Sequence, residues 1–313
     1  MPEMALAPDG SQPSEVAVMR ERLESALGQP PMQWTQPDTG LSAAPRYSVT
    51  LEDRSRVFVK AATDEETERW LRNEYLALQC VPGRFGPSVV AWLDEPGSYP
   101  IIVVEDLSRA HWPASHSGVD WRRGDIDRVL AAIKDLARVR APSILAPSPI
   151  GKASWPVFAR AGPDCDAFLD LGLCSPAWFS SAVPFLIDAE AALDDSGDWL
   201  VHGDLRSDNI CIEEERVVFV DWSHASRGHS EHDLALLLPT LQLEGGPLPF
   251  DVMPTGGAWA AAGAATRTRR RLHDPGLPPW LASVFVRLIA IQLSWAASCL
   301  GLPRPDGTDW QAI

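Results

Sequence analysis

The sequence predicts an α+β protein in two parts: a small antiparallel sheet carrying one helix, then a larger, mainly helical region. Three observations carry this. Apolar residues alternate at Tyr47, Val49 and Leu51, a polar turn follows at Glu52-Asp53-Arg54-Ser55, and Val57-Phe58-Val59-Lys60 returns, the period-two signature of a hairpin. Ile101-Ile102-Val103-Val104 is a continuous apolar run suited to a sheet interior. Beyond Glu105-Asp106-Leu107-Ser108 the composition turns helical, with Ile126, Val129, Leu130, Ile133, Leu136 and Ala137 on one face of a segment from Asp120 to Arg140.

Composition narrows the class further. A chain of 313 residues with 45% hydrophobic content buries a sizeable core, as one large domain or two lobes. The formal charge of −15 argues against nucleic-acid and anionic-membrane partners, since both bind through a basic face. A small cationic ligand suits such a field. The five cysteines are odd in number and scattered, without a C-x-x-C pair, which fits a reducing cytoplasm. No basic, then apolar, leader opens the chain, so no secretory signal is expected. The most membrane-like stretch, Leu281 to Leu302, contains Arg287 and Gln292. An arginine near a helix centre costs about 2.5–3.5 kcal/mol on insertion, so a buried C-terminal helix is expected. Oligomeric state is left open.

In chain order, residues Met1 to Ser14 read as a disordered lead and Glu15 to Leu27 as a short helix. Met32 to Thr35 reads as a strand, followed by a small-residue loop from Pro37 to Pro45. Lys60 ends a buried-looking strand, where an ammonium either snorkels at an edge or finds a partner. Thr63 and Glu66 form a capping-box pattern opening a helix to about Gln79. Glu74 lies close to that helix's apolar stripe, so it is either a solvated glutamate or the partner of Lys60. Pro87 to Leu93 reads as a strand. Ala110 to Gly118 is a polar linker with surface histidines, Ala177 to Leu193 a helix, and Asp194 to Asp198 a solvated acidic turn.

That turn leads into Val201-His202-Gly203-Asp204-Leu205-Arg206-Ser207-Asp208-Asn209, and then an apolar strand ending in Val220-Asp221-Trp222. Phosphoryl transfer needs a group to orient and deprotonate an acceptor hydroxyl, and oxygen ligands for magnesium. Asp204 can do the first, behind a tight Gly203 turn. Asn209 and Asp221 can do the second, because magnesium prefers hard oxygen donors.

The segment His202-Gly203-Asp204 through Asn209, followed by Asp221, resembles the aminoglycoside phosphotransferase and choline kinase-like family. The resemblance implies a bilobal protein-kinase-like fold, with Asp204 as catalytic base, Asn209 and Asp221 as magnesium ligands, and His202 as a structural loop residue. It extends over most of the chain. Gly40-Leu41-Ser42-Ala43 looks like the family's phosphate-covering loop, so Gly40 and Ser42 join the nucleotide-binding residues; Lys60 looks like its nucleotide-phosphate lysine and Glu74 like the partner glutamate. Val104-Glu105-Asp106-Leu107 looks like the lobe hinge, where the Glu105 carbonyl and the Leu107 amide would meet the nucleotide base. Asp233 matches an aspartate that braces the catalytic loop. The implied domains are a lead at 1–14, a nucleotide-binding lobe at 15–104, a hinge at 105–108 and a helical lobe at 109–313.

Two departures stand out. The covering loop has one glycine where protein kinases have three, and Arg140 stands where the family usually has a histidine. The base and metal positions are intact, which speaks against the alternative of a regulatory or scaffolding pseudokinase. The resemblance implies ATP or GTP as donor, Mg²⁺ as cofactor and a small-molecule hydroxyl compound as acceptor. Glu231, Glu244 and Asp251 are possible contacts for a cationic acceptor. The run Arg267, Arg269, Arg270 and Arg271 would suit an acidic one, or be a solvated helix end.

Overall fold

The computed structural model describes residues 13–37, 44–115, 118–148 and 154–313. Their order is α1 (Pro13–Leu27), β1 (Pro31–Thr35), β2 (Arg46–Leu51), β3 (Arg56–Ala61), α2 (Glu65–Leu78), β4 (Val89–Leu93), β5 (Ile101–Glu105) and the short strands β6 (Ala114–Ser115) and β7 (Gly118–Val119). Then follow α3 (Asp125–Leu136), α4 (Trp155–Phe158), α5 (Pro163–Leu169), α6 (Pro176–Ala191), β8 (Trp199–Val201), β9 (Ile210–Glu213), β10 (Arg216–Phe219) and β11 (Ser226–Gly228). Helices α7 (His232–Leu243), α8 (Pro249–Val252), α9 (Gly257–His273) and α10 (Pro279–Leu300) complete the chain, with 3₁₀ turns at Ser207–Asn209, Trp222–His224 and Trp310–Ala312. Two compact units result: Met1–His116 with Cys211–His224, and Ser117–Ile210 with Ala225–Ile313.

The first unit is built on an antiparallel sheet of order β1-β2-β3-β5-β4. Period-two alternation sends Tyr47, Val49, Leu51, Val57, Val59, Ala61, Ile101 and Val103 to one face, where Met19 and Leu23 of α1 cover them. Each such fully buried aliphatic or aromatic side chain stabilises the fold by about 1.5–3 kcal/mol. The intervening residue Lys60 therefore emerges on the opposite face, toward α2.

Helix α2 starts one residue later than the sequence pattern suggests. Asp64 is its N-cap, accepting from the Thr67 amide at 2.8 Å, and the Thr67 hydroxyl in turn accepts from the Asp64 amide at 3.1 Å. The Thr63–Glu66 box expected from sequence is thus replaced by an Asp64–Thr67 box of the same logic. Helix α1 begins at Pro13, inside the stretch read as a disordered lead; residues 1–12 lie outside the described residues. Helix α3 is shorter at both ends than the segment expected from Asp120 to Arg140, because Gly124 at φ 87° enters from the left-handed region and the chain leaves the helix after Leu136.

The second unit is organised by aromatic packing. Trp155 meets Phe158, Phe168 and Phe179 with ring centroids 5.9, 5.5 and 6.1 Å away, and its indole nitrogen donates to the Ala261 carbonyl at 2.8 Å. Helix α9 presents Ala260, Ala261, Ala264 and Ala265 to this core, small residues that allow close helix approach. At Gly256 a Cβ would stand 2.1 Å from the Trp295 ring of α10, so only glycine fits. By length and composition α10 could cross a membrane, but 56% of its most apolar window is buried, and Ile289, Leu293 and Ala296 are core residues.

Candidate active site

In the first unit, β3 and α2 bring together two sequence-predicted residues. Lys60 Nζ lies 2.7 and 2.9 Å from the Glu74 carboxylate oxygens and 3.2 Å from Asp221 Oδ1. Burial works against the Lys60 ammonium, but Asp221 and Glu74 outweigh it, so its pKa is raised and the lysine stays charged. Burial also pushes Glu74 up, with Lys60 and the Trp222 backbone amide opposing. Lys60 is not the snorkelling edge residue that its strand position alone permits.

Asp221 follows the β9–β10 hairpin and adopts φ 66°, a left-handed conformation unusual for a residue other than glycine. Strain of this kind costs on the order of 1–3 kcal/mol and persists only where the surroundings enforce it. Here they do. Asn73 of α2 donates to the Ser223 carbonyl at 2.9 Å, the Ser223 hydroxyl donates to Asp221 at 3.1 Å, and Lys60 binds the same carboxylate oxygen. Trp222, fully buried, donates its indole N–H to the Phe219 carbonyl at 2.8 Å.

Arg46 was not singled out from the sequence. It stands opposite Lys60 in the β2–β3 register. Desolvation lowers its pKa, and the Asp221 charge opposes that shift. Two cations on adjacent strands thus share one anionic neighbour. The only prior signal was register, since Tyr47, Val49 and Leu51 face one side and Arg46 must face the other.

At the end of β5 the Glu105 carboxylate binds the Arg216 guanidinium and accepts from the Ser88 amide at 3.1 Å. Leu107 packs with Cys211 and Val218, and its carbonyl accepts from Ala110 N–H and Trp112 Nε1, each at 3.0 Å. Gly40 and Ser42 of the expected covering loop lie outside the described residues.

In the second unit, β8 pairs with β11 and delivers the chain into His202. Asp233, the first acidic residue of α7, accepts from the backbone amides of His202 at 2.8 Å and Gly203 at 3.0 Å. Gly203 turns the chain at φ 81°, and the Asp204 amide donates to Nδ1 of the fully buried His202 at 3.3 Å. Asn209 closes the loop by donating Nδ2 to the Asp204 carbonyl at 2.9 Å. The Asp204 side chain is 31% exposed, with Arg206 Nη1 3.7 Å away. It is partly exposed, while the backbone beneath it is held by hydrogen bonds.

Three supports of this loop were not legible in advance. Arg140 lays its guanidinium 3.9 Å over the Trp199 ring at the start of β8. Asp195, expected in a solvated turn, binds Ser148 and His232 at 2.8 Å each, and its side chain is 11% exposed. Glu244, considered as an acceptor contact, accepts from Ser207 at 2.6 Å and from Trp121 Nε1 at 2.8 Å, so it anchors the 3₁₀ turn of the loop.

The first unit thus holds a lysine clamped by two carboxylates, and the second an acidic side chain on a braced loop with a carboxamide beside it. Residues 34–273 match the model of the phosphotransferase enzyme family, and the chain belongs to that family. No curated protein matches it by sequence. Among solved structures it is similar to a spectinomycin phosphotransferase in complex with ADP and spectinomycin, at 13% identity and TM-score 0.58, covering 92% of this chain and 99% of that one. A choline/ethanolamine kinase family protein from Mesorhizobium loti gives 15% identity and TM-score 0.58, covering 91% and 98%. The GDP complex of an aminoglycoside 2'-phosphotransferase gives 11% identity and TM-score 0.59, covering 90% and 98%. These likenesses are to the fold. The family makes the protein a phosphotransferase.

Proposed function

We propose that the protein is a magnesium-dependent kinase that transfers the γ-phosphoryl group of ATP or GTP to a hydroxyl of a small molecule in the cytoplasm. The observation that carries this reading is the braced loop around Asp204, whose carboxylate is partly exposed while its carbonyl, its amide and the preceding two amides are all hydrogen-bonded. A carboxylate so held can orient the acceptor hydroxyl and take its proton as the bond to phosphorus forms. Lys60, kept charged and positioned by Glu74, would hold nucleotide phosphate oxygens, and Arg46 would add a second cation. The hinge at 105–108 would receive the base through the Glu105 carbonyl and the Leu107 amide, with Gly40 and Ser42 covering the phosphates.

The residues suit magnesium. Among the described residues no cluster of three or more His, Cys, Asp or Glu forms a closed metal cage. Magnesium carried by a nucleotide needs only one or two protein oxygens besides phosphate and water. Asp221 would supply a carboxylate oxygen. Asn209 gives its nitrogen to the Asp204 carbonyl, which leaves Oδ1 as its oxygen donor. Magnesium, when bound, neutralises charge on the transferring phosphates.

One fold relative was solved with ADP and another with GDP, so both donors are kept. The test is nucleotide turnover against a panel of aminoglycosides, macrolides, amino alcohols and sugars, with wild-type protein and the Asp221→Asn variant. Acceptor-dependent release of nucleoside diphosphate in the wild type, lost on substitution, supports the reading; equal turnover in both sinks it.

A further inference from the structure

Helix α9 carries a glycine in its middle, where glycine is among the poorest helix formers. The space it leaves is filled by polar groups. A Cβ on Gly263 would stand 2.0 Å from Nε2 of Gln292 and 3.3 Å from Nη1 of Arg267. Gln292 is 2% exposed, and among the described residues its buried Oε1 has no hydrogen-bond partner. Buried carboxamides are normally satisfied, so an orphaned oxygen calls for an explanation.

Arg267 is also out of keeping with its surroundings. Two other basic residues of the same helix have acidic neighbours: Arg270 reaches Asp274 at 4.0 Å and His273 reaches Asp164 at 3.1 Å. For Arg267 no ion pair or hydrogen bond is found among the described residues. Desolvation and the nearby Arg270 lower its pKa to about 10. In a chain of formal charge −15, a partly buried guanidinium with no carboxylate beside it among the described residues suits an anion.

The niche also has a direction. Trp259, Gly263 and Arg267 recur at i, i+4 and i+8 along one face of α9, and the Trp259 ring lies 5.5 Å from that of His232. His232 immediately precedes Asp233, the brace of the Asp204 loop. One helical face therefore runs from the catalytic-loop support to the niche.

We infer that Gly263, Arg267 and Gln292 form a binding niche for the carboxylate or phosphate group of a small molecule. Resting on the proposed phosphoryl transfer, that molecule is the acceptor, an alcohol that also bears an anionic group. The guanidinium and the Gln292 amide nitrogen donate to the anion, and Gln292 Oε1 accepts from a hydroxyl or amine beside it.

The test is thermal unfolding of the full chain, without nucleotide, in sodium phosphate and in sodium acetate against sodium chloride at equal ionic strength. The wild type should show a saturable rise of roughly 2–4 °C at ten times the half-saturating concentration of at least one of the two anions. Arg267→Met should abolish the rise while melting no lower than wild type in chloride, since it removes an unpaired cation. Gln292→Leu, a second variant should the first fail to fold, should abolish or weaken the rise. No anion-specific rise in the wild type overturns the inference, as does an undiminished rise in either variant. A negative result leaves phosphoryl transfer untouched, because no nucleotide is present; conversely, absence of phosphoryl transfer leaves this binding intact.

Discussion

Lys60 Nζ sits 2.7 Å from Glu74 Oε1, with the Lys60 side chain 17% and the Glu74 side chain 3% exposed, and the same ammonium also binds Asp221 at 3.2 Å. One cation serves two carboxylates, and the consequence is asymmetric. Glu74→Gln leaves Lys60 paired with Asp221, whereas Lys60→Met leaves two carboxylates facing each other. Removing one partner of a buried pair typically costs about 3–5 kcal/mol. Lys60→Met should fall in that range, and Glu74→Gln should cost roughly 1.5–3 kcal/mol, the worth of a hydrogen bond to a charged group. Urea unfolding of both variants checks the order. Nucleotide affinity should fall in both, and further in Lys60→Met.

Asp233 accepts from two backbone amides, those of His202 at 2.8 Å and Gly203 at 3.0 Å. Asp233→Ala removes both hydrogen bonds, at about 1–3 kcal/mol each. Because those amides belong to His202 and Gly203, turnover should fall by more than tenfold even where the protein remains folded. Parallel measurement of kcat and the melting temperature separates the two effects: a loss of stability with unchanged kcat would assign Asp233 a merely structural role.

His232 should make stability depend on pH. Burial alone would lower its pKa, but the hydrogen bond to Asp195 and the charges of Asp233 and Asp195 outweigh burial, and the pKa is raised. The unfolded histidine titrates near 6.5. The contribution is therefore fully present below about pH 6.5 and is lost as pH rises through the higher folded value. His232→Gln should flatten the stability profile on the alkaline side of pH 6.5. A variant whose profile parallels the wild type from pH 6 to 9 contradicts this.

Gly256 tests the helical core. Its missing side chain admits the Trp295 ring, whose indole nitrogen donates to the Met253 carbonyl at 3.1 Å. Gly256→Ala should overpack this contact and destabilise by about 1–3 kcal/mol, read as a lower urea midpoint with unchanged slope.

Much of the architecture was legible in the sequence because local pattern and global packing agree. The alternation from Tyr47 to Lys60 reproduces the face of the sheet that α1 covers, and the unbroken run Ile101–Val104 is a strand flanked on both sides, by β3 and β4. The acidic loop was legible because its residues are contiguous. What escaped was what requires register or distance: Arg46 becomes Lys60's neighbour only through strand pairing, and Asp195 reaches His232 across a separation of 37 residues. The Asp64–Thr67 cap escaped differently, because Thr63-Asp64 offers two adjacent capping residues and only the backbone chooses between them.

The central claim, that Asp204 activates an acceptor hydroxyl, is tested most directly by following the label of γ-³²P ATP or GTP in magnesium buffer over an acceptor panel, with wild type and Asp204→Asn side by side. The asparagine keeps size and shape but accepts no proton. Label should pass to an acceptor with the wild type and fall by at least a thousandfold with the variant, at unchanged melting temperature and nucleotide affinity. Transfer by Asp204→Asn within a few-fold of wild type would contradict the assignment of Asp204 as the base.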